Sequence, residues 1–173
     1  MRLRGTLGIL MLAGAMLELT GCGYSSESLF PRQYKTVHVP MWTRGKDVYR
    51  RELEEKVTEA VQKRIEQRAG YRLAKKGQAD TELTGSIDQI NQRAMSINPD
   101  TGFVRELEVT FVVSFKWVDN ATGHVIVERT NFRVAGTYFP EGPVNENFFQ
   151  GSADVIDKLA QRVVEQMEKP FTR

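Results

Sequence analysis

Between Leu107 and Trp117 every odd-numbered residue is large and apolar: Leu107, Val109, Phe111, Val113, Phe115 and Trp117. A side-chain period of two belongs to an extended strand with one face in a core. The stretch from 125 to 138 alternates in the opposite phase, with Ile126, Phe132 and Val134 at even positions. Asn120-Ala121-Thr122-Gly123 lies between them and is made of turn-forming residues. Residues 104–118 and 125–138 therefore predict a long antiparallel hairpin. A four-residue loop sets Asp119 opposite His124, which pairs Trp117 with Ile126, Phe111 with Phe132 and Val109 with Val134. Both apolar sets then share one face, as a half-buried sheet requires. The other face gathers Thr110, Ser114 and Lys116 with Arg129, Asn131 and Arg133, and is wet and mildly basic.

Shorter signals surround this hairpin. Tyr34 to Val39 alternates and stops at Pro40, predicting a short strand, with Met41 to Lys46 as a loop. Asp47 is placed to cap a helix whose apolar stripe is Tyr49, Leu53, Val57, Ala60/Val61 and Ile65, and Gly70 ends it. Tyr71 to Ala74 is at most a brief strand before the Lys75-Lys76-Gly77 turn, and Thr81 to Gln92 carries Leu83 and Ile87 on one face. Asn98-Pro99-Asp100-Thr101-Gly102 is a turn. A second helix covers Phe148 to Lys169, with Val155, Ile156, Leu159, Ala160, Val163 and Met167 on one side and Pro170 after it. The predicted fold is an α+β two-layer sandwich, two helices on a small, mostly antiparallel four-stranded sheet.

The single cysteine, Cys22, closes the sequence Leu19-Thr20-Gly21-Cys22. Arg2 and Arg4 precede an apolar run from Leu7 to Leu17, too short to span a bilayer, which needs about 20 apolar residues, but suited to a signal peptide. Small residues at Thr20 and Gly21 admit a peptidase, and the thiol is the nucleophile for diacylglycerol transfer. Residues 1–21 are thus expected to be removed, leaving an acylated Cys22, a lipidated tether over 22–33 and a single domain over 34–173. Glu18 is an unusual charge at the end of the apolar run. Gly23, in place of an aspartate, favours sorting to the outer membrane, on its periplasmic side.

The 24 basic and 22 acidic residues nearly cancel, and the chain lacks the strong basic excess of a nucleic-acid binder. With one cysteine, already assigned to lipid, no disulfide is available. Only two histidines occur, His38 and His124, and no metal-ligand, nucleophile or phosphate-cradling pattern is present. Asp80 and Asp88 are an acid pair, the first placed at a strand start and the second facing water. No catalytic residue, cofactor or metal is expected. Asn120-Ala121-Thr122 matches a glycosylation sequon and is read as turn chemistry.

The order of these pieces resembles the LPS-assembly lipoprotein family, LptE. The resemblance is carried by Gly21-Cys22-Gly23-Tyr24, by Val37-His38-Val39-Pro40 ahead of a long helix, and by Ala79-Asp80 leading into Leu83-Thr84-Gly85-Ser86-Ile87. Asp119-Asn120-Ala121-Thr122-Gly123 after a strand and a C-terminal helix complete it. It spans essentially the whole chain after Cys22. It implies a lipid-anchored partner and plug of the outer-membrane β-barrel that exports lipopolysaccharide, supporting that barrel's assembly and delivery of lipopolysaccharide to the outer leaflet. No basic motif matches the family's lipopolysaccharide contacts residue by residue. The alternative is an interaction lipoprotein of related fold, a peptidoglycan-synthase activator or a curli-secretion-like component. A short tether places the work near the membrane.

Lys116, Arg129 and Arg133 are the candidate contacts to lipopolysaccharide phosphates or to acidic residues lining a barrel, because guanidinium groups pair well with phosphate. An ordinary solvated sheet face is the competing account, since Glu106 and Glu108 dilute the charge. Tyr138-Phe139-Pro140 and Phe148-Phe149 read as core plugs, with an exposed partner contact as the alternative.

Overall fold

The computed structural model describes residues 29–140 and 148–168. Cys22, the signal segment and most of the tether therefore lie outside the described residues. The elements are β1 (Thr36–His38), β2 (Thr43–Arg44), α1 (Leu53–Arg64), β3 (Arg72–Leu73), β4 (Thr81–Ile97), β5 (Val104–Asp119), β6 (Val125–Tyr138), α2 (Phe148–Gly151) and α3 (Ala153–Glu165). They form an α+β two-layer sandwich. The sheet has six strands rather than four and is mixed: the order is β3-β1-β4-β5-β6, and β2 also pairs with β4.

β4, β5 and β6 are antiparallel, whereas β1 runs parallel to both β3 and β4. Parallel neighbours need a long crossover, and α1 supplies it between β1 and β3. The presumed loop after Pro40 contributes β2, with Thr43 opposite Ser86 and Arg44 opposite Ile87. Strands this short carry no periodicity of their own; β4 provides the template on which they form.

The central hairpin has the predicted strands and turn. Asp119 donates its backbone N–H to the His124 carbonyl at 2.9 Å, and Gly123 turns with φ 71°. The predicted register, however, fails beyond the turn. Trp117 faces Val127, Phe111 faces Val134 and Val109 faces Gly136, because β6 is bulged twice. Each bulge adds one residue to β6. Ile126 is the extra residue at the first, and the second holds Asn131 at φ 53°. Two bulges together restore the alternation, so Phe111 (0% exposed) and Val134 (4%) still share the core face. A third bulge, at Asp88 in β4, switches the core positions there from Leu83 and Ile87 to Ile90.

Both helices cover one sheet face. Leu53, Val57, Val61 and Ile65 from α1 are fully buried with Leu159, Ala160 and Val163 from α3, and each large apolar side chain so placed contributes about 1.5–3 kcal/mol. The helices are also linked by Arg64 to Asp157 at 2.8 Å and Arg68 to Glu168 at 2.8 Å. Partly exposed pairs of this kind add at most about 1 kcal/mol each, so packing dominates. The last turn of α1 widens over Ile65–Ala69 into a π-helical turn before Gly70 stops it at φ 70°.

Two helix boundaries differ from expectation. Asp47 caps nothing: α1 begins at Leu53, and Glu52 before it has φ 72°. Gly45 donates its N–H to Ile87 at 2.8 Å, Val48 is buried, and the Arg50 guanidinium stacks 3.7 Å above the Phe148 ring. Lys46-Asp47 form a turn closed by the Val48 N–H to the Gly45 carbonyl at 3.2 Å, and those contacts keep residues 45–50 out of the helix, so Tyr49 leaves the stripe, 86% exposed. The C-terminal helix is divided at Ser152. A Cβ on Gly151 would lie 2.3 Å from the Tyr138 ring, so α2 packs directly on the end of β6.

Trp42 fills the space above Gly85. Its indole is 2% exposed, and its backbone N–H donates to Thr58 Oγ1 on α1 at 2.9 Å.

Candidate functional site

Among the described residues, the sheet face away from the helices has no second layer. At its centre the Asp88 carboxylate accepts hydrogen bonds from Ser86 Oγ at 2.7 Å and Ser114 Oγ at 2.6 Å. Ser114 Oγ also receives the Asn131 N–H at 3.4 Å. The Asp88 bulge and the Asn131 bulge thus meet across β5 through one serine. Thr43, Thr84, Ser86, Ser114, Lys116 and Glu128 surround a shallow concavity of about 440 Å³ on this face. Arg129 also lines it, and hydroxyls, an ammonium, a guanidinium and a carboxylate make it a hydrogen-bonding surface.

The three basic candidates do not act together. Lys116 lies on the open face opposite Glu128, and Arg133 lies opposite Val112. Arg129 pairs with Phe115, a core residue, and its Nε donates to Gln166 Oε1 at 3.0 Å just beyond α3. The β6 bulges rotate Arg129 towards the helical layer, which corrects the single basic face expected from simple alternation.

The hairpin of β4 and β5 extends past the end of β6. β5 pairs with β6 only from Leu107 onward, whereas β4 and β5 remain paired out to Ile97 and Val104. This arm is bare on its apolar side chains: Met95 is 48% exposed, Ile97 58% and Phe103 64%. Just below the arm, where β5 still pairs with β6, Arg93 pairs with Glu108 at 3.2 Å. The sequence signal was present, since apolar residues flank the Asn98–Gly102 turn on both sides, but the expected strand stopped at Gln92. Of the aromatic plugs, Tyr138 and Phe148 are buried and in edge contact at 6.4 Å, whereas Phe139 is half exposed.

At the opposite end of β4 the chain enters the folded body. Phe30, 5% exposed, meets Tyr71 edge-on at 6.0 Å, and Tyr34 meets Trp117 at 5.7 Å. The Tyr71 hydroxyl donates to the Pro31 carbonyl at 3.0 Å, and burial pushes this phenol well above its ordinary pKa. The body therefore includes Phe30, four residues before Tyr34. Asp80 accepts the N–H groups of Lys35 at 2.8 Å and Thr36 at 2.9 Å. Those amides, with the Thr36 hydroxyl, hold its carboxyl below the usual range. Asp119 is lowered in the same way, chiefly by the Ala121 N–H. Both acids fasten strand ends. His38 Nδ1 lies 3.1 Å from the Ala74 carbonyl, and His124 is exposed at its turn. Among the described residues no group of histidine, cysteine or carboxylate side chains is placed to hold a metal ion.

A family model for lipopolysaccharide assembly, LptE, matches residues 34–169, which is most of the chain. The chain belongs to the LptE family. That places it generally in lipopolysaccharide assembly, in a family of non-enzymatic accessory lipoproteins. Solved structures share the fold. Lipoprotein B from Nitrosomonas europaea is 13% identical with a TM-score of 0.56, over 86% of this chain and 90% of that one. The minor lipoprotein from Acinetobacter baumannii is 17% identical with a TM-score of 0.50, over 78% of this chain and 93% of that one. The hypothetical protein CT253 from Chlamydia trachomatis, at 9% identity and a TM-score of 0.53, covers 78% and 98% respectively. At such identities the likeness concerns fold alone. No curated protein matches the chain. Among the described residues of this LptE-family protein, no helix is long and apolar enough to cross a membrane.

Proposed function

We propose that this protein is an outer-membrane lipoprotein, anchored through acylated Cys22 on the periplasmic side, that partners and plugs the β-barrel exporting lipopolysaccharide. In that role it supports the barrel's assembly and the delivery of lipopolysaccharide to the outer leaflet. The observation that carries this reading is the match of residues 34–169 to the lipopolysaccharide-assembly family. The surface geometry agrees with it. A barrel lumen is lined by polar side chains, and the uncovered sheet face offers Thr84, Ser86, Lys116 and Glu128 to such a wall. The arm offers Met95, Ile97 and Phe103 to an apolar partner surface. Of the basic candidates, Lys116 and Arg133 remain on the open face for phosphate or carboxylate, while Arg129 serves to fix β6 to α3.

The test is isolation of tagged full-length protein from detergent-solubilised outer membranes, with photo-crosslinking residues at Thr84, Glu128 and Ile97. Recovery of a large β-barrel protein crosslinked from the open face and the arm is expected. Isolation without any such barrel, or crosslinks confined to the outer surface of the two helices, would count against the reading.

A further inference from the structure

Where the chain enters the folded body, three cations line one concavity of about 340 Å³: Arg32, Lys35 and Arg72, with Tyr34 and Tyr71 in its wall. None of its lining residues is acidic. All three cations are exposed, and none forms an ion pair among the described residues. Arg64, Arg68 and Arg93, by contrast, are each matched to a carboxylate. Two acids lie beside the concavity: Asp80 accepts the backbone N–H groups of Lys35 and Thr36 and also feels the Lys35 charge, and Asp119 accepts the Tyr34 hydroxyl at 3.2 Å. Lys75 and Lys76 extend the positive edge just after β3 and are also exposed.

The length of the link decides what this patch meets. Seven residue steps separate Cys22 from Leu29, and even fully extended they span at most about 25 Å. An acyl anchor at Cys22 therefore keeps the Phe30 end of the body close to the bilayer, within a few Debye lengths of its surface. The Asn98–Gly102 tip lies at the other end of β4, a 17-residue strand that reaches roughly 50 Å.

We propose that the Arg32–Lys35–Arg72 concavity binds anionic phospholipid headgroups of the leaflet that holds the anchor, and so sets which end of the protein faces the membrane. The inference rests on the acylation of Cys22 for its geometry. Guanidinium groups fork onto phosphate oxygens, and cations near an anionic leaflet each strengthen association by about five-fold. Together the three account for roughly a hundred-fold at low salt.

The test uses lipidated full-length protein reconstituted in vesicles of phosphatidylcholine alone or with one-third phosphatidylglycerol. Nitroxide labels at Gln78 and at Asp100 report proximity to the bilayer. With phosphatidylglycerol, the Gln78 label is expected to approach the surface and the Asp100 label to stay distant; both effects should fade in 1 M salt. The triple variant R32A/K35A/R72A should lose this dependence while keeping the wild-type melting curve. An R32K/R72K variant should retain most of it. Equal label depths in the two lipid mixtures, for protein whose acylation is verified by mass spectrometry, would overturn the inference. Mass spectra showing an unmodified Cys22 would instead overturn the anchor. Added lipopolysaccharide separates the two phosphate sources: competition that abolishes the effect at trace amounts would reassign the concavity to lipopolysaccharide.

Discussion

Gly85→Ala should destabilise this protein although it adds only a methyl group. A Cβ built at Gly85 lies 2.4, 2.5 and 2.6 Å from three carbons of the Trp42 indole, where carbon atoms normally rest at about 3.5–4.0 Å. The indole would have to retreat by roughly 1 Å. It has little room: Trp42 is 2% exposed, and its backbone is fixed to α1 by its main-chain N–H donating to Thr58 Oγ1 at 2.9 Å. Overpacking of this kind costs about 1–3 kcal/mol. Alanine at an unobstructed strand position instead gains about 0.5–1 kcal/mol over glycine, which offsets part of that. The net expectation is a loss of about 0.5–2 kcal/mol, or roughly 2–8 °C in Tm for a domain of this size.

A double-mutant cycle isolates the contact. Trp42→Ala alone should cost about 3–5 kcal/mol. In the Trp42→Ala background the same Gly85→Ala change should become neutral or mildly stabilising. Urea unfolding of the detergent-solubilised protein, followed by far-UV circular dichroism, measures all four corners. If Gly85→Ala raises Tm in the wild-type background, or costs the same with and without Trp42, the indole does not lie where the argument needs it.

Asp80 has a lowered carboxyl pKa, so its stabilising contribution is present above the usual carboxylate range near 4 and is lost as pH falls through the folded-state value. Asp80→Asn should therefore narrow the difference between urea midpoints at pH 7 and pH 3, and an unchanged difference would contradict the Lys35–Thr36 clamp. Asn131 sits at φ 53° in the second β6 bulge. Asn131→Val should lose about 1–2 kcal/mol, whereas Asn131→Gly should change thermal stability by only a few tenths; equal melting curves for the two variants would refute a strained backbone there.

Gly85 also shows which parts of the fold were legible in advance. It looked like an ordinary member of the Leu83–Ile87 strand, and Trp42 like a loop residue. Nothing within a few positions of either announces that one fills the space left by the other. The same holds for Asp47, a sound helix cap by local chemistry that is overruled by Gly45 bonding to β4 and Arg50 stacking on Phe148. The candidate site divides likewise. The open polar face was readable from Ser114 and Lys116, but the bond that draws the Arg129 side chain to Gln166 beyond α3 was not.

By itself, the sequence determined the features that repeat along the chain. Strands β5 and β6, their turn, the apolar stripe of α1 and the sandwich class all follow from periods of 2 and 3.6 residues. Only the tertiary structure decided where those periods are interrupted. The bulges at Ile126, Asn131 and Asp88, the short strand β2, and the bare arm beyond Leu107 each depend on residues far apart in sequence. Periodicity is a property of neighbours along a chain. Register, edge pairing and exposure are settled by what packs against each strand from across the fold.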